Sequence, residues 1–330
     1  MFTSRKHTCR MMQPVLTNTS PELAGSWIAV AHSAELTDRP MQVWVLGEQW
    51  VIQRVGAALH ALGRRDWRRP AGVAEHIGLI WLAVDEPLAP MPSLTGWGRR
   101  DFVAATCATV RTPVSAVQLI DNFMDAAHFP FVHATSFGVA DAFEVSTGDV
   151  ARDGWQVCST FTAPYQNHDD PLVASGEHEL VQEHTVTKIG YAGCNASLEL
   201  RFPVTGGVFG IAYACQPETA ASTRIFKVMA RNDVDAAGMQ RCVSDEDAIL
   251  REDLDILERY SVMGVETDLT VEVHTRADRL SVAWRRLMRD MARHASTDSS
   301  DSADSADSVA LNTGEATATT TDDYSKELAS

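Results

Sequence analysis

The stretch Asp121-Asn122-Phe123-Met124-Asp125-Ala126-Ala127-His128-Phe129-Pro130-Phe131-Val132-His133 decides how the rest of this 330-residue chain is read. It closes a run over 114–127 in which Val114, Val117, Ile120, Phe123 and Met124 recur near the helical period. Pro113 suits the first turn of that helix and Pro130 ends it. His128 then lies at the helix end and His133 five residues on, past a proline-imposed turn, so both imidazoles can point inward. Two neutral imidazoles and one carboxylate on one octahedral face, with the other positions open, make the ligand set of a mononuclear non-haem Fe(II) centre. The spacing alone is a weak signal, because an isolated histidine pair more often packs or faces solvent than binds metal.

The whole string resembles the iron-binding segment of the Rieske non-haem iron oxygenases, E-N-x-x-D-x-x-H-x-x-x-x-H, with Asp121 in place of the usual Glu. The resemblance implies that His128 and His133 ligate iron and that Asn122 is the family Asn beside it. It also implies that Asp125 is the carboxylate that, in the family, bridges toward a neighbouring subunit's iron–sulfur cluster. The third ligand is implied on a later helix. Ala248-Ile249-Leu250-Arg251-Glu252-Asp253-Leu254-Asp255-Ile256-Leu257-Glu258 resembles the family's E-D-x-x-(I/V)-(I/V/L)-E segment, which points to Asp253, with Asp255, Asp247 and Glu252 as rivals. Without the two histidines this would read as an acidic solvated helix. Asp278-Arg279-Leu280-Ser281-Val282-Ala283-Trp284-Arg285-Arg286 resembles the closing D-x-x-S-V-x-Y-R-R helix of the vanillate O-demethylase and caffeine N-demethylase branch. The likeness covers roughly residues 20–294, specific at the iron motif and diffuse elsewhere.

Working outward, residues 20–90 hold short β-branched and aromatic runs separated by polar or Gly-containing turns, around Trp27, Trp44, Trp50 and Trp81. Pro87, Pro90 and Pro92 punctuate a boundary. From 155 to 231 five successive strand-like runs with short links imply an antiparallel sheet, and helices return at 244–260 and 276–294. The fold class expected is therefore α+β. A degenerate, Rieske-like β domain (20–90) precedes a helix-grip catalytic domain (91–294), with unordered ends at 1–19 and 295–330.

A Rieske domain holds its [2Fe–2S] cluster with C-x-H and C-x-x-H. In the family those ligands fall between strands matching 58–62 and 78–81; here the intervening Gly63-to-Ile77 stretch has no cysteine, and His76 alone cannot hold a cluster. The resemblance then implies an oxygenase component with one mononuclear Fe(2+) and no cluster of its own. Such a chain takes its electrons from a separate Rieske- or ferredoxin-bearing partner that uses NAD(P)H, as the Rieske-lacking N-demethylase subunit does. The expected reaction is O2-dependent hydroxylation of an aromatic or heteroaromatic small molecule, or its demethylation with loss of formaldehyde. Arg64, Arg65, Arg68 and Arg69 replace the cluster loops and could form a docking patch, although a solvated loop accounts for any one of them. A trimer follows by analogy only. The alternatives are a non-catalytic structural or regulatory subunit of an oxygenase complex and, less favoured, a protein that merely binds a ligand. A scaffold needs none of His128, His133, Asp253 and Asp125.

Composition agrees with this and excludes other classes. The net charge of −16, from 28 basic and 44 acidic side chains, is unsuited to wrapping phosphate backbones. Residues 295–330 carry eight of the acids against Lys326, so −7 belongs to a tail. Six scattered cysteines (Cys9, Cys107, Cys158, Cys194, Cys215, Cys242), no secretory leader and no membrane-length apolar run give the expectation of a cytoplasmic chain with reduced thiols. No glycine pattern suggests a nucleotide site. His178 and His184 fall at even spacing in a strand-like run, which places them on one face; Tyr213, Phe226 and Met229 are candidates for the cavity wall.

Overall fold

The computed structural model describes residues 15–146 and 148–308, with side chains described to residue 296. Two small antiparallel sheets come first in the chain, after β1 (Val15–Leu16), whose partner β16 (Val265–Glu266) comes late in the sequence. β2 (Trp27–His32) pairs with β7 (Leu79–Ala83), which pairs with β6 (Gly72–His76). β3 (Met41–Val45), β4 (Glu48–Val55) and β5 (Ala58–Gly63) form a three-stranded meander. Between these sheets Ile28, Val30, Val43, Val45, Trp50, Ile52, Ile80 and Leu82 close a core of their own. A tight turn links β5 to β6, with Gly63 N–H donating to Arg68 O at 2.9 Å and Trp67 N–H to Gly63 O at 3.0 Å.

The second part is an eight-stranded antiparallel sheet wrapped on helices. After β8 (Val103–Thr106), β9 (Val110–Thr112), α1 (Ala116–Met124) and α2 (Phe129–Val132), the sheet strands run in order: β10 (Val150–Asp153), β11 (Gln156–Gln166), β12 (Val181–Tyr191), β13 (Asn195–Phe202), β14 (Gly207–Thr219) and β15 (Ser222–Arg231). Each pairs with the next, and β8 and β9 both close on β15. Between β11 and β12 lies the short α3 (Pro171–Ser175); α4 (Ala236–Leu257) and α5 (Arg279–Ser308) complete the chain.

α1 forms because Ser115 caps it, its hydroxyl accepting from Gln118 N–H at 3.3 Å, and because Val117, Ile120 and Met124 bury one stripe. That stripe packs with Trp284, Leu287, Met288 and Met291 of α5. Trp284 is fully buried and its Nε1–H donates to Tyr191 O at 3.0 Å. Gly190 on β12 permits the approach, since a Cβ there would lie 2.8 Å from the Trp284 ring and 2.9 Å from Met124 Sδ. Asp121 receives the Arg285 guanidinium on both oxygens, at 2.8 and 2.7 Å, which ties α1 to α5.

The α+β class is as expected, and several local expectations are corrected. α1 ends at Met124 with Asp125 at its C-cap, and Pro130 opens α2 instead of terminating α1, because proline's fixed φ and missing N–H suit a first turn. α4 begins at Ala236, eight residues before the expected 244, because Asp235 caps it by accepting from Gly238 N–H at 2.7 Å. Residues 15–19 belong to the ordered structure: β1 pairs with β16, and Asn18 Nδ2 donates to Thr223 Oγ1 at 2.9 Å. α5 extends through Ser308, so the Asp-Ser-Ala repeat starts inside a helix, which is cheaper to extend than to nucleate. The rest of the expected tail, and residues 1–14, lie outside the described residues. Among the described residues no helix is long and apolar enough to cross a membrane.

Candidate metal centre

The site forms where α1, α2 and α4 meet over the sheet. Lys188, buried on β12, donates to Phe123 O at 2.6 Å and Asp125 O at 2.7 Å, and so fixes the C-terminal end of α1. Its ammonium lies 4.8 Å from the centroid of the Phe129 ring. Burial pushes this lysine down to about 8, against the opposing pull of Asp125 and Asp253. Past α2 the chain reverses through Gly138, whose N–H donates to His133 O at 2.8 Å; a Cβ there would collide with Phe129 O.

Among the described residues, one group of ligating side chains converges: His128, His133 and Asp253, with one donor atom each inside 4.8 Å of the others. His128 Nε2 lies 3.2 Å from His133 Nε2 and 3.5 Å from Asp253 Oδ1, and His133 Nε2 lies 3.3 Å from the same oxygen. Ligands about 2.1 Å from a metal and mutually at right angles stand about 3.0 Å apart. The triangle matches that face within about half an ångström.

The far sides of the imidazoles settle the tautomer. His128 Nδ1 faces Asp125 Oδ2 at 3.0 Å, and His133 Nδ1 faces Glu252 Oε2 at 2.8 Å. A carboxylate accepts only, so each Nδ1 carries a proton and each Nε2 is the atom left to face a metal, which would displace any proton there. Two Nε2 atoms and a carboxylate oxygen at these distances need a positive charge between them, a proton on His133 Nε2 or a metal cation. Burial would raise the Asp253 carboxyl, but the hydrogen bond and charge of His133, with His128 and Asn122, leave it below its ordinary range. Burial would likewise lower His133, and Asp253 with Glu252 reverses that and raises it. The surroundings favour positive charge here.

Asn122 Nδ2 donates to Asp253 Oδ1 at 3.0 Å. Of the rivals for the third position, Asp255 is exposed, Asp247 faces Lys227 at 3.2 Å, and Glu252 stands behind His133. Glu252 is held there by Ser136 Oγ at 2.8 Å and Thr135 Oγ1 at 2.9 Å. Its role as a partner of His133 escaped the sequence reading, which weighed it only as a ligand. Lys188 was also missed. Its signal is a lysine in phase with Val186 and His184 on the inward face of β12.

The centre opens into a cavity of about 480 Å³ lined by Phe123, Phe137, Tyr165, Leu198, Phe202 and Tyr213 among others. Tyr213 lines it as expected. Met229 and Phe226 do not: Met229 is on the cavity-side face of β15 with Lys227 and Arg231 but is covered in a cluster with Ile211, Met239 and Cys242, and Phe226 points to the opposite face. His178 lies before β12 and pairs with Asp170 at 2.7 Å, so it does not share a face with His184, which lines the cavity. Arg68 and Arg65 face Glu48 at 3.0 and 3.9 Å, so half of the basic loop is already paired. His76 Nε2 lies 3.0 Å from Pro92 O.

The vanillate O-demethylase oxygenase C-terminal domain family matches residues 113–294, more than half of the chain and all three converging residues. The chain belongs to this family. It is thus a Rieske-type oxygenase of the vanillate O-demethylase branch. The probable methylxanthine N7-demethylase NdmC of Pseudomonas sp. (strain TJI-51) is 24% identical over 272 residues, 80% of this chain and 93% of that protein. Among solved structures, Pseudomonas putida CBB5 NdmA with caffeine superimposes with a TM-score of 0.68 at 17% identity, covering 84% of this chain and 93% of that one. Dicamba monooxygenase bound to dicamba gives 0.62 at 16% identity, covering 83% and 99%. At these identities the superpositions establish the shared fold.

Proposed function

We propose that this chain is the oxygenase component of a Rieske-type system. It holds one Fe(2+) on His128, His133 and Asp253 and uses O2 to hydroxylate or demethylate a small aromatic or heteroaromatic molecule. The reading rests on one observation, the near-equilateral triangle of two imidazole Nε2 atoms and one carboxylate oxygen, each imidazole backed by a carboxylate. Iron bound there supplies the O2-activating chemistry. The chain supplies the rest. Asp125 and Glu252 hold the Nδ1 protons, Asn122 orients the Asp253 carboxylate, and Lys188 fixes the backbone from which Asp125 and His128 project. Phe123, Phe129 and Phe137 exclude water beside the centre.

Electrons come, on this reading, from a separate cluster-bearing protein supplied by NAD(P)H, because the sequence lacks cysteine and histidine pairs for a cluster between residues 63 and 77. Asp125 is one hydrogen bond from His128 and partly open to solvent, which makes it the route inward. Phe131 and Phe143 stack at 5.6 Å on the surface, Phe131 lying between the two histidines in sequence, and offer the donor an apolar contact beside that route. The two-part organisation, with 20–90 as a cluster-free scaffold and 91–294 as the catalytic part, belongs to the same proposal. Metal analysis after anaerobic Fe(II) reconstitution tests it: about one iron per chain and no acid-labile sulfide is expected. Stoichiometric sulfide, or no bound iron, defeats it.

A further inference from the structure

The Glu246 carboxyl is a polar group of the cavity that the metal centre does not use. Glu246 lies seven residues before Asp253 on α4, with Leu250 between them, so all three project from one face of the helix, and all three line the cavity. At 1.5 Å of rise per residue, about 10.5 Å of helix separates the Glu246 and Asp253 backbones. That span suits a one- or two-ring substrate whose reacting carbon lies at the metal and whose far edge lies at Glu246.

The carboxyl has no hydrogen-bond or ion-pair partner among the described residues. Lys227 donates instead to the backbone O of Glu246 at 2.5 Å and faces Asp247 at 3.2 Å. Burial raises the Glu246 carboxyl above its ordinary range against the pull of Lys227, and Asp253 adds to the rise. Tyr213 stands opposite Lys227 on the paired strands β14 and β15, its ring stacked on Phe123 at 5.2 Å. Its hydroxyl also has no hydrogen-bond partner among the described residues. Burial pushes that hydroxyl well up, with Cys215, Asp253 and Glu246 adding to the effect, so it stays a neutral donor. Tyr165 Oη and His184 Nδ1 lack partners too, but those atoms are sealed inside the wall, whereas Tyr213 Oη and the Glu246 oxygens are not. A desolvated acceptor without a donor is costly, and a ligand that brings an N–H or O–H removes the cost.

We propose that Glu246 and Tyr213 form the polar end of the substrate site, Glu246 accepting a hydrogen bond from an N–H of the ring and Tyr213 donating to the carbonyl oxygen beside it. The ligand class is an aromatic lactam with a free N–H, and a ring methylated at that nitrogen is disfavoured. This rests on the oxygenase reading and deepens it by assigning two specificity-determining residues and the edge they select.

The test is calorimetric binding under anaerobic conditions to the full, Fe(II)-loaded chain, with two matched pairs of probes: 2-quinolone with 1-methyl-2-quinolone, and 2-pyridone with 1-methyl-2-pyridone. Each N–H probe should bind at least about tenfold more tightly than its methylated twin, one hydrogen bond's worth. Glu246→Met should weaken the N–H probes alone and bring each pair within about twofold. Tyr213→Phe keeps the ring and should weaken both members of a pair equally, by about tenfold, because both carry the carbonyl. Circular dichroism verifies the fold. If Glu246→Met does not fold, Glu246→Gln replaces it, and the preference should fall at least about threefold. Equal affinities within the wild-type pairs overturn the proposal, as does failure of both N–H probes to bind. A preference that survives the Glu246 replacement shows that the bulk of the methyl group sets it and overturns the proposal as well. Wild-type affinity for every probe in Tyr213→Phe has the same consequence. Iron content of the same samples separates the two readings. Samples that take up no iron defeat the oxygenase assignment, whereas iron-replete protein without the N–H preference defeats the lactam assignment alone.

Discussion

Replacing Glu252 tests whether the carboxylate behind His133 sets the affinity of the metal centre. Glu252 Oε2 receives the Nδ1 proton of His133 at 2.8 Å, and the carboxylate is held by Ser136 and Thr135 before any metal arrives. A hydrogen bond to a charged acceptor contributes about 1.5–3 kcal/mol net, and removing such a partner from a metal-bound histidine costs roughly ten- to a hundredfold in affinity. Glu252→Gln keeps an acceptor oxygen but loses the charge, so the loss should be about tenfold, near 1.4 kcal/mol. Glu252→Ala removes acceptor and anchor together and should approach a hundredfold. The assay is anaerobic competition for Fe(II) against a chromogenic chelator, with circular dichroism to verify the fold. Asp255→Asn, an exposed carboxylate on the same helix, is the control and should stay within about twofold. Wild-type affinity in both Glu252 variants would refute the tautomer argument on which the assignment of the two Nε2 atoms rests.

Other consequences follow from buried side chains. His184 is held at about 4 against an ordinary 6.5, so the folded state resists a proton that the unfolded chain accepts. Stability present above pH 6.5 should therefore fall between pH 6.5 and 4, by about 3 kcal/mol relative to His184→Leu, read from urea midpoints across that range. Lys188, at about 8 against 10.5, should make wild type gain on Lys188→Met by a similar amount, about 3 kcal/mol, as pH rises from 8 to 10.5; a flat difference would place its ammonium in water. Trp284→Ala should cost about 3–5 kcal/mol in chemical denaturation, because it empties a fully buried site and leaves Tyr191 O without its donor. Arg286→Ala, exposed one turn-face away, should stay within about 0.5 kcal/mol.

The pair His128 and His133 stood out in the sequence because its segment is local and resembles a family pattern, although the spacing alone is a weak signal. The periodic apolar stripe ending at Met124 sets the exit of α1, and the distance from Asp125 to His133 is short enough for two turns to aim both rings inward. The third ligand was harder. Glu252 and Asp253 are neighbours on one helix, and adjacent residues point about 100° apart, so both can reach the site from opposite sides of His133. Only the tertiary placement shows that one carboxylate closes the triangle while the other stands behind it. Likewise the inward face of β12 is readable as alternation, but what His184 meets depends on Tyr165 from the neighbouring strand. β1, β16 and β8 are two- to four-residue strands that carry no period of their own, so the pairing of β1 with β16 and of β8 with β15 could not be read from the sequence. The first turns of α4 were hidden by Gly238, a poor helix former in an otherwise readable start.

The segment without cluster ligands raises the question of why it persists, and the packing supplies an answer. On β14, Phe209, Ile211 and Tyr213 face the cavity while the alternate residues Ala212 and Ala214 face away. Behind them, Ala29, Leu79 and Trp81 from β2 and β7 pack against Ala212, Ala214, Phe226, Val228 and Ala230 in one continuous cluster. The alanines leave room for the fully buried Trp81 ring. Polar ties reinforce the contact: Asn195 Nδ2 donates to Trp27 O at 2.7 Å, Gln216 Nε2 to Trp44 O at 2.7 Å, and Arg224 pairs with Glu35 at 2.8 Å. The backs of β14 and β15 are therefore built to be covered. Removing residues 27–83 would expose an apolar sheet face directly beneath the cavity wall, a larger loss than any single core truncation. Surface loops on these two small sheets can change with little effect on this packing, whereas the strands beneath must remain. The arginine turn between β5 and β6 is the part free to vary, and the β scaffold serves as the back plate of the catalytic sheet.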